Sequence, residues 1–328
     1  MEKHISILIP KGHTSLVNIV GTHQIFNQVN SFLRERGKPA LFKIELVGIS
    51  IPTAQSNGLF SVNPEKYIED ISRTDLIIIP AIHDDPEIAF KNNRRFVPWL
   101  KQQYSNGAEI ASLCVAAFFL ASTGLLNGKQ CSTHWIHADN FRKMFPEVHL
   151  VDDKIMTEDQ GIYTSGGAYS YLNLLLYLVE KFAGRDIAIL TAKTFMIDID
   201  KASQSPFIMF RGQKEHEDHV VRKAQEYIEK NFNEKIPVNE LASKFALSRR
   251  SLERRFKKAT HNTITTYIQR VKVEAAKRSL EASRENVNEV MYGIGYSDEK
   301  SFRQTFKKIT GISPAQYRNK YKSNEIRS

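Results

Sequence analysis

Along the first half of the chain, short apolar runs alternate with stretches of helical period. His4–Ile9, Phe42–Ile49 and Asp75–Ile79 read as buried strands, the last β-branched and closed by Pro80. Glu109–Leu113, Val148–Val151 and Gly161–Thr164 read as further strands. Between them, helical spacing covers about Leu16–Arg36, Trp99–Tyr104, Val115–Ser122 and the strongly apolar Ala168–Phe182. This alternation predicts an α/β domain, a parallel sheet with helices on both faces. After Gly184 a helical stretch runs to about Thr194. The pattern then turns polar and irregular through Ser203-Gln204-Ser205-Pro206. From His219 onward the period is helical with no strand, which predicts an all-α second domain. The expected organisation is therefore 1–195, a linker at 196–218, and 219–328.

The helical part repeats itself. Phe256-Lys257-Lys258-Ala259-Thr260 returns as Phe306-Lys307-Lys308-Ile309-Thr310, and Tyr267 returns as Tyr317, at an offset of 50. Val238-Asn239-Glu240 returns as Val287-Asn288-Glu289 at an offset of 49, so one residue is inserted at the turn. Each copy reads as a short helix, a tight turn and a second helix: Asn239–Ala246, Leu247-Ser248 and Arg249–Lys258, then Asn288–Tyr292, Gly293–Tyr296 and Asp298–Ile309. This is the helix-turn-helix pattern. Gly293 and Gly295 permit positive φ at the second turn. A long helix, Ile264–Leu280, joins the copies, and Ser313-Pro314 suits the start of a last helix.

Charge sharpens this picture. The net charge is +10, yet residues 219–328 hold 24 Lys and Arg against 12 Asp and Glu, while the rest hold 22 against 24. All the positive excess lies around the repeat, as a polyanion-binding module requires. Within the second helices, Leu252, Phe256, Phe302, Phe306 and Ile309 face inward at helical spacing. Arg249, Arg250, Glu253, Arg254 and Lys257 face outward in the first copy. Asp298, Glu299, Lys300, Arg303, Gln304 and Lys307 do so in the second. Arg and Gln side chains suit guanine and adenine edges, and Lys and Arg neutralise phosphates.

Ser248–Lys257, Gly295-Tyr296-Ser297-Asp298 and Ser301–Pro314 resemble the AraC/XylS family of transcription regulators, over roughly residues 219–322. The resemblance implies two helix-turn-helix units entering successive major grooves of double-stranded DNA. By position it implies base reading by Arg250, Glu253 and Arg254, and by Glu299, Lys300 and Gln304. At Glu253 and Glu299 a carboxylate can accept from cytosine but repels phosphate. Thr260-His261-Asn262-Thr263 departs from the Gly-Xaa-Ser/Thr-Pro turn usual in both copies.

The two cysteines, Cys114 and Cys131, imply no disulfide framework. Cys114 stands where a strand meets a helix, between small residues that suit a nucleophile elbow. A packed, inert thiol is the plainer reading. Ala111-Ser112-Leu113-Cys114, Gly124–Lys129, Ser132-Thr133-His134-Trp135 and Thr164–Gly167 resemble the PfpI-type domain of the class I glutamine amidotransferase-like superfamily, over roughly residues 4–195. That resemblance implies a flavodoxin-like sheet, and it occurs joined to an AraC module in GlxA-like regulators. Catalytic members carry an acid in the loop after the first strand, or a His beside the Cys. Here Val115 follows Cys114, and the acid's position falls on Val17 or Asn18. Cys114 therefore reads as a vestigial elbow, with Cys114, Val115, His134, Trp135 and Gly166 as candidate ligand-binding residues. His134 and His137 lack the companions of a metal site, and no cofactor motif stands out. Asp84-Asp85 reads as a helix cap or loop.

These features predict a cytoplasmic transcription regulator whose first domain senses a small-molecule effector or pairs two chains into a homodimer. No membrane partner is expected, since no apolar run approaches the ~18 residues of a span. The rival reading is a thiol-dependent enzyme, hydratase- or amidase-like, with an attached DNA-binding module. A sequence-neutral architectural DNA binder is a third.

Overall fold

The computed structural model describes residues 2–49, 53–55, 60–199 and 203–322. It divides into two compact units, Met1–Gln204 and Ser205–Ser328. Of the expected linker, residues 200–202 lie outside the described residues.

In the first unit, seven strands among the described residues form one sheet. Their order is Met156–Asp159, Ile162–Ser165, Glu109–Ser112, Leu76–Ile79, Lys3–Leu8, Phe42–Gly48 and Lys66–Tyr67. Every pairing is parallel except that of the edge strand Met156–Asp159. The sheet is buried on both faces, and strand alternation shows how. Ile77 and Ile79 enter one apolar core, while Leu76 and Ile78 enter the other. Helices Phe96–Ser105 and Ala116–Ser122 supply the first core, and Leu16–Glu35 and Tyr171–Ala183 the second. This is the flavodoxin-like arrangement expected from the sequence.

One expectation shifts, and another is filled in. Val148–Val151 shortens to His149–Leu150 and leaves the main sheet, pairing instead with Gln130–Cys131. Asp85 does cap a helix, Pro86–Asn93, through the N–H groups of Glu87 and Ile88. Asp84 does something else. Its Oδ2 accepts the His13 N–H at 2.8 Å and ties down the loop after the first strand. A Cβ on Gly12 would fall 1.8 Å from that oxygen, so only glycine fits there.

The second unit is helical among its described residues, and both helix-turn-helix copies form. The first pairs Val238–Lys244 with Arg249–Thr260, and the second pairs Val287–Gly293 with Glu299–Thr310. The long helix Ile264–Ala282 serves both. Its Ile264, Tyr267 and Val271 enter the first copy's core, and Val273, Ala276 and Leu280 the second's. Ser313 caps Pro314–Tyr321 in a capping box with Gln316. Of the two turn glycines, only Gly295 has positive φ (74°). Gly293 instead ends the preceding helix.

Candidate nucleic-acid interface and the cysteine elbow

The inward and outward positions of the two second helices separate as their spacing predicts. Leu252, Phe256, Phe302 and Phe306 are fully buried, and Ile309 packs partly buried against the second core. Arg249, Arg250, Arg254 and Lys257 are exposed on the first helix, with Glu253 half-buried. Glu299, Lys300, Arg303, Gln304 and Lys307 are exposed on the second.

Five outward residues have local partners. Asp298 caps its own helix, its Oδ1 accepting the Ser301 N–H at 2.7 Å, just as Ser248 caps the first through Ser251. Arg249 pairs with Glu253 at 2.9 Å, and Arg303 pairs with Glu299. These i,i+4 pairs occupy equivalent positions with the charges exchanged, since 249 corresponds to 299 and 253 to 303 at the 50-residue offset. Both glutamates thus hold an arginine of their own helix, which weakens their assignment as cytosine readers.

The departure at His261 does not break the turn. His261 adopts the left-handed conformation (φ 56°) that Gly311 adopts in the second copy (φ 78°). Thr260 and Thr310 then make the same two contacts, to the carbonyls of Phe256 and Asn262, and of Phe306 and Ile312. Arg255 did not stand out in the sequence. It grips Asp218 with two hydrogen bonds, of 2.8 and 2.6 Å. Asp218 in turn caps His219–Lys230, so Arg255 fixes the helix Arg249–Thr260 to its support. The signal available was an acid immediately ahead of a helix.

In the first unit, Cys114 has φ 57°, the strained geometry of an elbow between Glu109–Ser112 and Ala116–Ser122. Its N–H donates to Ser165 Oγ at 3.1 Å, and Thr133 Oγ1 donates to its carbonyl at 3.3 Å. The thiol is buried. Burial pushes it up to about 11, and the accepted Val115 N–H offsets this only partly. Neither expected acid position serves it. Asn18 Oδ1 accepts the Ala81 N–H at 3.1 Å, and Val17 is exposed with its carbonyl on the Tyr171 hydroxyl. Cys131 is also buried and raised, to about 12.

The candidate ligand residues stand in different surroundings. Gly166 is buried, and a Cβ there would meet Gln204 Nε2 at 2.4 Å and the Thr133 carbonyl at 2.7 Å. His134 Nδ1 accepts the Ile136 N–H at 3.2 Å, and Trp135 lies beside it with ring centroids 5.7 Å apart. Beside the elbow is a cleft of about 100 Å³. Val115 lines it, together with His83, Asp84, Phe118, Phe119 and His137. Four imidazoles gather here. His13 and His83 are 5.5 Å apart, and His134 and His137 are 6.0 Å apart. The rings of His83, His134 and His137 are held below the usual imidazole range. Desolvation is the main cause, and neighbouring imidazoles add to it for His83 and His134. His13 and His83 were not singled out in the sequence. Both follow C-terminal ends of parallel strands, where open α/β sheets place ligands, and that rule was the usable signal. Among the described residues, no group of three or more His, Cys, Asp or Glu is placed to hold a metal ion, and no helix is long and apolar enough to cross a membrane.

A family model described as the DJ-1/PfpI family matches residues 4–181, and one described as a helix-turn-helix domain matches residues 241–320. The chain is 26% identical over 270 residues to the HTH-type transcriptional regulator GbdR of Pseudomonas aeruginosa, covering 79% of this chain and 70% of that one. It is 23% identical over 282 residues to the HTH-type transcriptional regulator CdhR of the same species, covering 81% and 78%. Among solved structures, Drosophila melanogaster DJ-1beta superposes with a TM-score of 0.51 at 18% identity, covering 60% of this chain and all of that one. This last likeness is one of fold.

Proposed function

From the premise that this chain belongs to the DJ-1/PfpI family and carries an AraC-type helix-turn-helix module, we propose how its parts divide the work of a transcription regulator. Regulation of transcription is the function it shares with its relatives. The second unit binds double-stranded DNA through Arg249–Thr260 and Glu299–Thr310, which enter two successive major grooves. Arg250, Arg254, Lys300 and Gln304 read base edges. Lys257 and Lys307 neutralise phosphates. The glutamates orient Arg249 and Arg303 through the i,i+4 pairs. The first unit senses a small effector and pairs two chains in the cytoplasm. Val17 and Val20, exposed one turn apart on Leu16–Glu35, support a place for that pairing.

One observation carries this reading. Two helices related by the repeat are both capped, both anchored by buried phenylalanines, and both left with a polar face open to solvent on the basic third of the chain. The test begins with a cognate duplex selected from random sequences by the full chain. Arg254→Ala is expected to cost about 1–3 kcal/mol on that duplex and much less on random DNA. Lys257→Ala is expected to weaken both alike and to flatten the salt dependence. Equal losses on every sequence for Arg254→Ala would remove its base-reading role.

A further inference from the structure

The cleft beside the elbow combines an apolar wall with imidazoles that have nothing to hold. Val115, Phe118 and Phe119 form the wall, and His83 and His137 stand at its rim. His13 and His134 stand close behind them. The His134 ring is fixed: Nδ1 accepts the Ile136 N–H, so Nε2 carries the proton and is a donor. No side-chain hydrogen bond engages the rings of His13, His83 or His137 among the described residues.

The acids around the rings are already engaged. Asp84, from the loop carrying His83, accepts the His13 N–H at Oδ2. Asp85 caps Pro86–Asn93, and Asp139, beside His137, pairs with Arg142. A cation entering the cleft would therefore meet a single carboxylate that is already hydrogen-bonded. An anion would meet two or more N–H donors. It would also offset the repulsion between neighbouring imidazoles that adds to desolvation in disfavouring protonation of His83 and His134. A volume of about 100 Å³ admits only a few non-hydrogen atoms.

We infer that this cleft takes a small aliphatic monocarboxylate, with its carboxylate on the imidazole N–H groups of His83 and His137 and its alkyl part against Val115, Phe118 and Phe119. The inference rests on the effector-sensing reading of the first unit and gives that effector a chemical class. Binding is linked to proton uptake. Affinity rises as pH falls through the interval between the rings' free and bound midpoints, by up to about tenfold per pH unit for each proton taken up. Asp84 faces His83 and favours its protonation, against the larger effects of desolvation and the neighbouring His13 and His137 rings.

The test uses the full chain with ring-labelled histidine, followed by NMR across pH. The probes are sodium propionate, propylammonium chloride and inorganic phosphate, each added alone. Propionate is expected to move the His83 and His137 resonances and to raise their midpoints. His83→Gln and His137→Gln should each weaken propionate binding severalfold and reduce its pH dependence. Phe118→Ala should weaken it without changing that dependence. The site assignment fails if propionate leaves all four rings unmoved. The ligand class fails if propylammonium moves them in its place, or if phosphate does so as effectively as propionate. A separate readout is DNA affinity with and without propionate. Propionate that binds the rings but leaves DNA affinity unchanged supports the site and removes the sensing role.

Discussion

Ala246 and His261 both hold a left-handed backbone without being glycine, at φ 50° and 56°. Their repeat partners are Gly295 and Gly311. A side chain in that region costs roughly 1 kcal/mol, so Ala246→Gly and His261→Gly should each raise stability by about that amount in urea unfolding. The reverse change at Gly295 should destabilise strongly, because a Cβ there would lie 1.9 Å from the Asn233 carbonyl oxygen. The turn at His261 looked irregular in the sequence because residue identity was visible and φ was not. Cys114 teaches the complementary lesson. Small neighbours made its elbow legible, but its environment was not, since the burial that raises its thiol comes from distant parts of the chain. With a thiol raised to about 11, Cys114 should alkylate slowly at pH 8 and speed up steadily through pH 10. Rapid labelling at pH 7 by iodoacetamide would contradict this and revive the enzymatic reading.

Among the elements, the long apolar helices and interior strands were legible because their periodicity is set by burial. The edges were not. Lys66–Tyr67 and Met156–Asp159 carry little apolar pattern, and they join the sheet only because a neighbour offers its edge. The docking of His219–Lys230 onto Arg249–Thr260 was equally hidden, for it depends on Asp218 meeting Arg255 across 37 residues. Asp218 serves two roles there, as helix cap and as ion-pair partner. Arg255 holds its carboxyl down to about 2, with the accepted Val221 and Val220 N–H groups adding to the effect. Because the folded value lies below the ordinary one, this stabilisation is complete above pH ~4 and lost as pH falls toward 2. Asp218→Ala is expected to cost about 1–3 kcal/mol at pH 7, of which the cap alone accounts for about 1. Asp218→Asn should keep most of the cap and lose the charge. Both differences from the parent chain should shrink below pH 3 in acid-unfolding titrations. A constant difference down to pH 2 would mean the ion pair adds nothing.

At the scale of the whole molecule, the division of charge and the repeat were both readable before any coordinates. Together they pointed to DNA, because the positive excess and the doubled helices fall on the same third of the chain. The cleft beside the elbow was not readable in this way. Its residues come from the loop after Leu76–Ile79, from Val115 and the helix Ala116–Ser122 that follows it, and from His137, and sequence spacing does not report that convergence. The structure adds that the two cores share one helix, Ile264–Ala282, and that Phe232 packs against both. Arg249–Thr260 and Glu299–Thr310 are thereby held on one frame, which on the proposed reading lets them approach a duplex together. The most direct test of the account is hydroxyl-radical footprinting of the full chain on its selected duplex. The account predicts two protected patches on one face of the DNA, about one helical turn or 10 base pairs apart for each bound chain. It also predicts that Arg254→Ala clears one patch and Gln304→Ala the other. A single patch, or protection with no fixed register on any sequence, would contradict it.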